Sequence, residues 1–425
     1  MQNMYVVLAI FAFMIIGFII GKWSYGLTAM TCMVLLAVTR QVPIEVAFSG
    51  FAMKNFVLVA GIYLVSAAFG KTSFINKIQR YFAKLQGGKS SVFLVSVLIL
   101  LTSFLAQFMS ASITITMIVM VLNTFSQDGE VTPSRMLLPL ALMSCLWQNT
   151  WPVGQYFGYI SAFNQYIEAY NSTALFGPLD NFKVLIFPLI ACCIYVVFAY
   201  KWLPKRAIDE SKLKKTTETI AIPRNHEILI YAIFIIVTFS MFLSALIGDF
   251  TYIIPAVGSL ILIYAGALQE KEAKAILSSD LLFMLAGIFV ISSVMAESGA
   301  GIFIGETILK LLGANPSGLT IMFAFGGVTM IVTQFMSNSV ARNVLLPMSI
   351  ATSVAAGYDP RGVICVVQLC SACAILLPTS SPSAAIAFAA AEYKLKETFL
   401  FSILLMVICL VTTVLSANFF FPVFG

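Results

Sequence analysis

The six residues Gln107-Phe108-Met109-Ser110-Ala111-Ser112 recur almost unchanged as Gln334-Phe335-Met336-Ser337-Asn338-Ser339, an offset of 334 − 107 = 227 positions. Ala60-Gly61-Ile62 returns as Ala286-Gly287-Ile288, 226 positions on, and Pro152 in Trp-Pro-Val-Gly pairs with Pro378 in Leu-Pro-Thr-Ser, again at 226. Three landmarks in one order at nearly one offset mean that roughly half the chain has been duplicated. Both hexapeptides lie inside long apolar stretches, where small hydroxyl and amide side chains are costly unless they find partners. Polar interruptions at matching positions of two halves point to the binding site of a membrane transporter.

Composition identifies the solvent. Of 425 residues, 60% are hydrophobic and 10% charged, and the mean hydropathy is +0.99. These values exclude a water-soluble domain and predict an all-α integral membrane protein with many passes through a lipid bilayer. The apolar run from Tyr5 to Ile20 has no basic residues before it and no cleavage signal after it, so it is expected to remain as a span. The expected location is the inner (cell) membrane of a bacterium. The net charge of +6 is carried by short inter-span segments that set orientation, and no nucleic-acid partner is expected. All eight cysteines fall in apolar segments and the single histidine, His226, lies in a polar linker, so no metal centre is expected and the thiols should pack as small hydrophobes.

Apolar runs at 4–20, 25–39, 55–70, 183–200, 228–247, 252–267, 281–296 and 398–420 read as single spans. Four uncharged stretches, between Lys89 and Asp128, Arg135 and Glu168, Lys310 and Arg342, and Arg361 and Glu392, are too long for one straight helix: about 30 helical residues reach about 45 Å, against a hydrocarbon core of about 30 Å. The first and third carry the hexapeptides and read as re-entrant helical hairpins over 90–127 and 316–352. The other two, 134–167 and 362–391, carry the proline landmarks and read as helices unwound at mid-membrane, tolerable only where the freed backbone is buried in protein or lines a cavity.

Charge orients the arrangement. Segment 71–89 holds Lys71, Lys77, Arg80, Lys84 and Lys89, and linker 201–227 holds Lys201, Lys205, Arg206, Lys212, Lys214, Lys215 and Arg224, which places both in the cytoplasm. The matching segment 297–315 holds Glu297, Glu306 and Lys310, with no basic excess. Threading then gives ten spans and two hairpins with both termini outside: a first repeat over 1–200, the linker 201–227, and an inverted second repeat over 228–425.

The candidate site residues sit at the tips and breaks. Ser110, Ser112, Ser337, Asn338 and Ser339 offer oxygens to a cation and backbone N–H groups to an anion at the start of each second half-helix. The segments Gln148–Gly154 and Pro378–Ser383 add Thr150, Thr379, Ser380 and Ser381 for a substrate, where proline breaks the helix and frees carbonyls. A coupling cation would draw on Ser110, Gly154, Ser337, Asn338 and Ser380. Arg342 follows Asn338 by four residues on the same helix face, about 6 Å along the axis. It is an ionisable group deep in an apolar stretch, which marks a functional residue, and its first-half counterpart is Ile115.

With these residues in place the chain resembles the divalent anion–sodium symporters of the ion transporter superfamily. Ala47-Phe48-Ser49-Gly50-Phe51-Ala52 resembles that family's early signature, and Ser337-Asn338-Ser339 its Ser-Asn-Thr tip motif. Ser371 to Pro378, with Ser381-Pro382, resembles its late motif ending in Thr-Pro-Pro-Asn. The resemblance covers most of the chain and implies a homodimer working as an elevator on di- or tricarboxylates or other oxyanions, usually with sodium. The first tip departs from it, with Ala111 in place of an asparagine; Ser383 and Ala384 replace the late motif's second proline and asparagine.

The expected function is secondary active transport of a small anion, most readily a di- or tricarboxylate, with sodium or a counter-anion as coupling species and no organic cofactor. A cation/proton antiporter of the same superfamily would need a titratable carboxylate in the membrane, and the spans show none away from their ends. A channel fits matched mid-membrane breaks less well. An enzyme is not expected, since no Ser/His pair, acid dyad or metal cluster is apparent.

Overall fold

A computed structural model describes residues 3–74, 77, 90–122, 131–206, 222–313 and 316–422. Among these residues every regular element is a helix. Arg80, Lys84, Lys89, Lys212, Lys214 and Lys215, on which the orientation partly rests, and the end of the first hairpin at 123–127, lie outside the described residues.

Among the described residues four helices are long and apolar enough to cross a membrane, and nine shorter apolar helices of 10–17 residues accompany them. The stretches read as single spans are helical, at Met4–Ile20, Tyr25–Val38, Lys54–Phe69, Asp180–Ala199, Arg224–Phe242, Phe250–Tyr264, Asp280–Glu297 and Leu395–Phe420. The span expected at 228–247 is shorter than that at its C-terminal end. It stops at Phe242, and a separate short helix, Ser244–Ile247, leads into Gly248 at φ 56°, a backbone state that glycine adopts without strain. Segment 297–315 contains a further helix, Ala300–Leu312, packed on Asn338–Ala355 with Gly305 against the Ala351 backbone.

Each predicted hairpin is a pair of helices joined by a short turn: Ser91–Leu105 with Ala111–Leu122, and Gly318–Val332 with Asn338–Ala355. The first arms have 15 residues each, or about 22 Å. Their starts are equivalent: Ser90 and Ser317 are N-caps, accepting from the N–H of Phe93 and Thr320 respectively. Both interrupted helices also begin alike, with Pro133 and Pro360 in the first turn, where a missing N–H is harmless. They run Pro133–Leu146 then Gln155–Ala169, and Pro360–Ser371 then Pro382–Ala391.

The two halves pack reciprocally. Lys54–Phe69 of the first half lies against Phe250–Tyr264 of the second, and Tyr25–Val38 of the first against Asp280–Glu297 of the second. These are the same pair of repeat elements with the halves exchanged, the pattern of an isologous contact about a two-fold relation. The duplicated glycines make each crossing close. A Cβ on Gly61 would meet the Ala256 nitrogen at 2.6 Å, and one on Gly287 would meet the Ala29 Cβ at 2.6 Å. Ala29 and Ala256 are themselves 227 positions apart. Small residues let apolar helices approach closely where no hydrophobic force drives them together.

Gly61→Ala is therefore expected to destabilise the protein by about 1–3 kcal/mol, because the new methyl meets backbone that cannot swing aside. Thermal unfolding in detergent measures this. Gly327→Ala, where nothing lies within 4 Å of an added Cβ, should unfold at the wild-type temperature. Equal behaviour of the two variants would mean that the crossing is not held tight.

Candidate functional site

A helix that breaks inside a membrane frees backbone donors and acceptors that lipid cannot satisfy. Here one glutamine per half takes up several of them. Gln107, at the first turn, donates through Nε2 to the Trp147 carbonyl (2.5 Å) and accepts at Oε1 from the Thr150 and Trp151 N–H groups (3.1 and 3.0 Å). Gln334, at the second turn, donates to the Cys373 carbonyl (2.8 Å) and accepts from the Leu376 N–H (3.0 Å). Each Nε2 also holds a carbonyl one helical turn back on its own arm, Ser103 or Met330. Trp147 and Cys373, like Thr150 and Leu376, are 226 positions apart, so the duplication extends to individual hydrogen bonds. Both glutamines are buried. Each one fastens a hairpin turn to the neighbouring break.

The serines at the turns cap the helices that follow: the Ser110 hydroxyl accepts from the Ile113 N–H and that of Ser337 from the Val340 N–H, both at 3.4 Å. Asn338 accepts at Oδ1 from the Thr333 hydroxyl (3.3 Å), which also donates to the Ser371 carbonyl (2.6 Å). In the second break the Ser380 hydroxyl donates to the Leu377 carbonyl, and that of Ser381 donates to the Ala374 carbonyl while accepting from the Ala384 N–H. Thr379 is exposed.

A cavity of about 40 Å³ gathers a subset of these groups. The first break contributes Gln148, Asn149 and Thr150, the second turn and its helix Asn338, Ser339 and Arg342, and the helix before the second break Gln368 and Ser371. Tyr159 and Cys145 also line it, and no carboxylate does. Asn149 takes φ 56°, a left-handed conformation that asparagine tolerates better than most residues. Of the ten predicted substrate residues the cavity thus brings together Thr150, Asn338, Ser339 and Arg342. Ser110, Ser112, Ser337, Thr379, Ser380 and Ser381 are not among its lining residues. Gly154, a predicted cation ligand at φ 55°, faces Ser66 and Phe234 instead.

Arg342 does not snorkel to an aqueous surface. It is 8% exposed, its guanidinium lies 4.3 Å over the Tyr159 ring, and its Nε has no hydrogen-bond partner. Among the described residues no ion pair to Arg342 is present. A buried guanidinium without a counter-charge is costly, and the aromatic face offsets about 0.5–2 kcal/mol of that cost. Such a site favours an anion. A larger cavity of about 430 Å³ lies between Lys54–Phe69, Gln155–Ala169 and the 241–252 region. It contains none of the predicted site residues, and its one charged lining residue, Asp249, is an acid.

The fold and site define a helical membrane transporter with a cationic, amide-rich cavity. The family model for the citrate transporter matches residues 15–256 and 245–424, and the chain belongs to that family. It is a secondary transporter of the citrate and dicarboxylate type. An uncharacterized transporter of Haemophilus influenzae is 22% identical over 95% of this chain and 89% of its own length. The sodium-dependent dicarboxylate transporter SdcS of Staphylococcus saprophyticus is 24% identical over 44% of this chain and 34% of its own. Human solute carrier family 13 member 4 is 24% identical over 35% and 23%. The resemblance to the divalent anion–sodium symporters therefore holds. Among solved structures, the Alcanivorax borkumensis YdaH transporter superposes with a TM-score of 0.61 at 14% identity, covering 91% of this chain and 90% of that one. Neisseria gonorrhoeae MtrF gives 0.57 at 12% identity, covering 90% and 84%. At these identities the likeness concerns the fold alone.

Two substitutions separate binding from scaffolding. Gln334→Leu leaves the Leu376 N–H and the Cys373 carbonyl unpaired at about 1–3 kcal/mol for each group, and should lower the unfolding temperature. Asn338→Ala should keep that temperature within a few degrees while weakening substrate affinity about tenfold, read as KM in transport. Near-normal transport by Asn338→Ala would make the second tip a packing element only.

Proposed function

We propose that the chain carries di- or tricarboxylates across the membrane by an elevator movement of a domain bearing both turns and both breaks, within a homodimer. Substrate binds where the first break meets the second turn, and Arg342 supplies the counter-charge. The observation that carries this reading is the buried guanidinium, unpaired by any acid among the described residues and set in a cavity of amides and hydroxyls. Its planar fork suits bidentate binding of a carboxylate. The cavity of about 40 Å³ is smaller than a tricarboxylate, so substrate entry requires the turn and break to part, as in alternating access.

The repeats are inverted in this reading. Contacts between helix ends support it, because each joins ends that the threading puts on one side. Asn3 with Gln41, Lys54 with Asp249, and Asp180 with Arg361 fall outside. Gly26 with Asp280, Lys71 with Glu272, Ser73 with Glu227, and Arg206 with Glu397 fall inside. Single cysteines at Lys77 and Lys214, in a cysteine-free background, should resist impermeant thiol reagents in right-side-out vesicles, whereas one at Glu306 should react. Outside labelling at position 77 or 214 would remove the inversion.

The second tip provides Asn338, the first only Ala111. With one amide lost and one fixed cation gained, part of the charge compensation that bound sodium would give falls to Arg342. Sodium dependence should be weak, and exchange of one anion for another should proceed without it. Proteoliposomes loaded with unlabelled substrate, with choline replacing sodium, are expected to take up labelled substrate, and Arg342→Gln to abolish that uptake. A strict requirement for a sodium gradient contradicts the assignment of charge to Arg342.

A further inference from the structure

Two buried polar atoms in the small cavity are left without partners, and they are of opposite kinds. Arg342 Nε is a donor and Gln368 Oε1 an acceptor. Both residues are more than nine-tenths buried, at 8% and 6% exposed, and both line the cavity. They stand on adjoining helices, Asn338–Ala355 and Pro360–Ser371, which pack on each other. Neither has a polar counterpart in the first half: 227 positions back lie Ile115 and Ala141. The glutamines that fasten the breaks, Gln107 and Gln334, are duplicated and fully engaged. Gln368 is neither.

Buried polar groups in a folded protein are paired, and an exception calls for a missing partner. A simple carboxylate would satisfy Arg342 only, since it has acceptors and no donor. To satisfy both atoms a ligand must bring an acceptor anion and, beside it, a hydrogen-bond donor. We propose that the site is built for a hydroxy-carboxylate, with a carboxylate on Arg342 and the neighbouring hydroxyl donating to Gln368 Oε1, so that Gln368 determines specificity. This rests on the carboxylate-transport reading above and narrows it from di- and tricarboxylates in general to those bearing a hydroxyl. A site that leaves a buried acceptor unpaired when the hydroxyl is absent rejects the deoxy analogue. Tyr159 is a positioning residue here: its ring holds the guanidinium in the cavity that Gln368 also lines while the anion is absent.

The test is competition against uptake of labelled citrate by purified protein in proteoliposomes. Two pairs of competitors differ only by the hydroxyl: citrate with tricarballylate, and malate with succinate. Wild-type protein is expected to bind the hydroxylated member about tenfold more tightly in each pair, the loss expected for one unmade hydrogen bond to a buried group. Gln368→Met, which keeps the volume but removes the acceptor, should bring the ratio close to one by weakening the hydroxylated member alone. Gln368→Glu should weaken both members together, because the new carboxylate pairs with Arg342. A wild-type ratio near one overturns the proposal without any variant and leaves carboxylate transport standing. So does an unchanged ratio in Gln368→Met. Absence of any carboxylate uptake by the wild type would overturn the transport reading and this inference with it.

Discussion

A backbone that breaks inside a membrane has to find its hydrogen-bond partners within the protein. This chain breaks twice at equivalent places, and Gln107 and Gln334 share two bonds to the break, one to a carbonyl and one from an N–H, with Gln107 accepting a further N–H from Trp151. The amide is the one side chain that can do so, because it offers donors and an acceptor in a single plane. Each turn is thereby tied to its own break. The first tie fixes Thr150 against the first turn, the second fixes the turn that bears Asn338 against the second break, and the cavity lies where the first break meets the second turn. Around it, close crossings at Gly61 and Gly287 join the two halves reciprocally.

The frame is symmetric and the chemistry is not. Caps, first-turn prolines, crossing glycines and fastening glutamines all recur at the common offset, whereas the charged and the unpaired groups that line the small cavity come from the second half. Arg342 answers to Ile115, Gln368 to Ala141, and Asn338 to Ala111. A duplicated scaffold supplies two helix breaks, and divergence of a few side chains leaves one side of the space between them with the guanidinium and the amides. The first half contributes position, through the break at Gln148–Thr150, more than charge.

Much of this was legible in the sequence, because duplication leaves register and proline and polar breaks leave composition. The hairpin pairs, both interrupted helices, the burial of Arg342 and its separation from any acid all follow from pattern. Other features depend on distant partners. Gln107 and Gln334 stood inside the quoted hexapeptides, yet their bonds are to residues some 40 positions away, beyond any local periodicity. Ser110, Ser337, Ser380 and Ser381 have the right chemistry for ligands and the right chemistry for caps, and the structure uses them on their own backbone. Tyr159 was one tyrosine among 15, with nothing local to mark it. Gln368 was a lone amide in an apolar run, and only its unpaired burial sets it apart.

The central claim is that Arg342 and Asn338 form an anion site positioned by the fastened breaks. Thermal stability in sodium-free choline buffer, with and without citrate, tests it most directly, because a ligand that binds only the folded state raises stability by about 2.7 kcal/mol at 100 times Kd. Citrate is predicted to raise the unfolding temperature of the wild-type protein, to raise that of Asn338→Ala by about half as much, and to leave that of Arg342→Gln unchanged. No rise with any carboxylate, or an equal rise in all three proteins, would contradict the account.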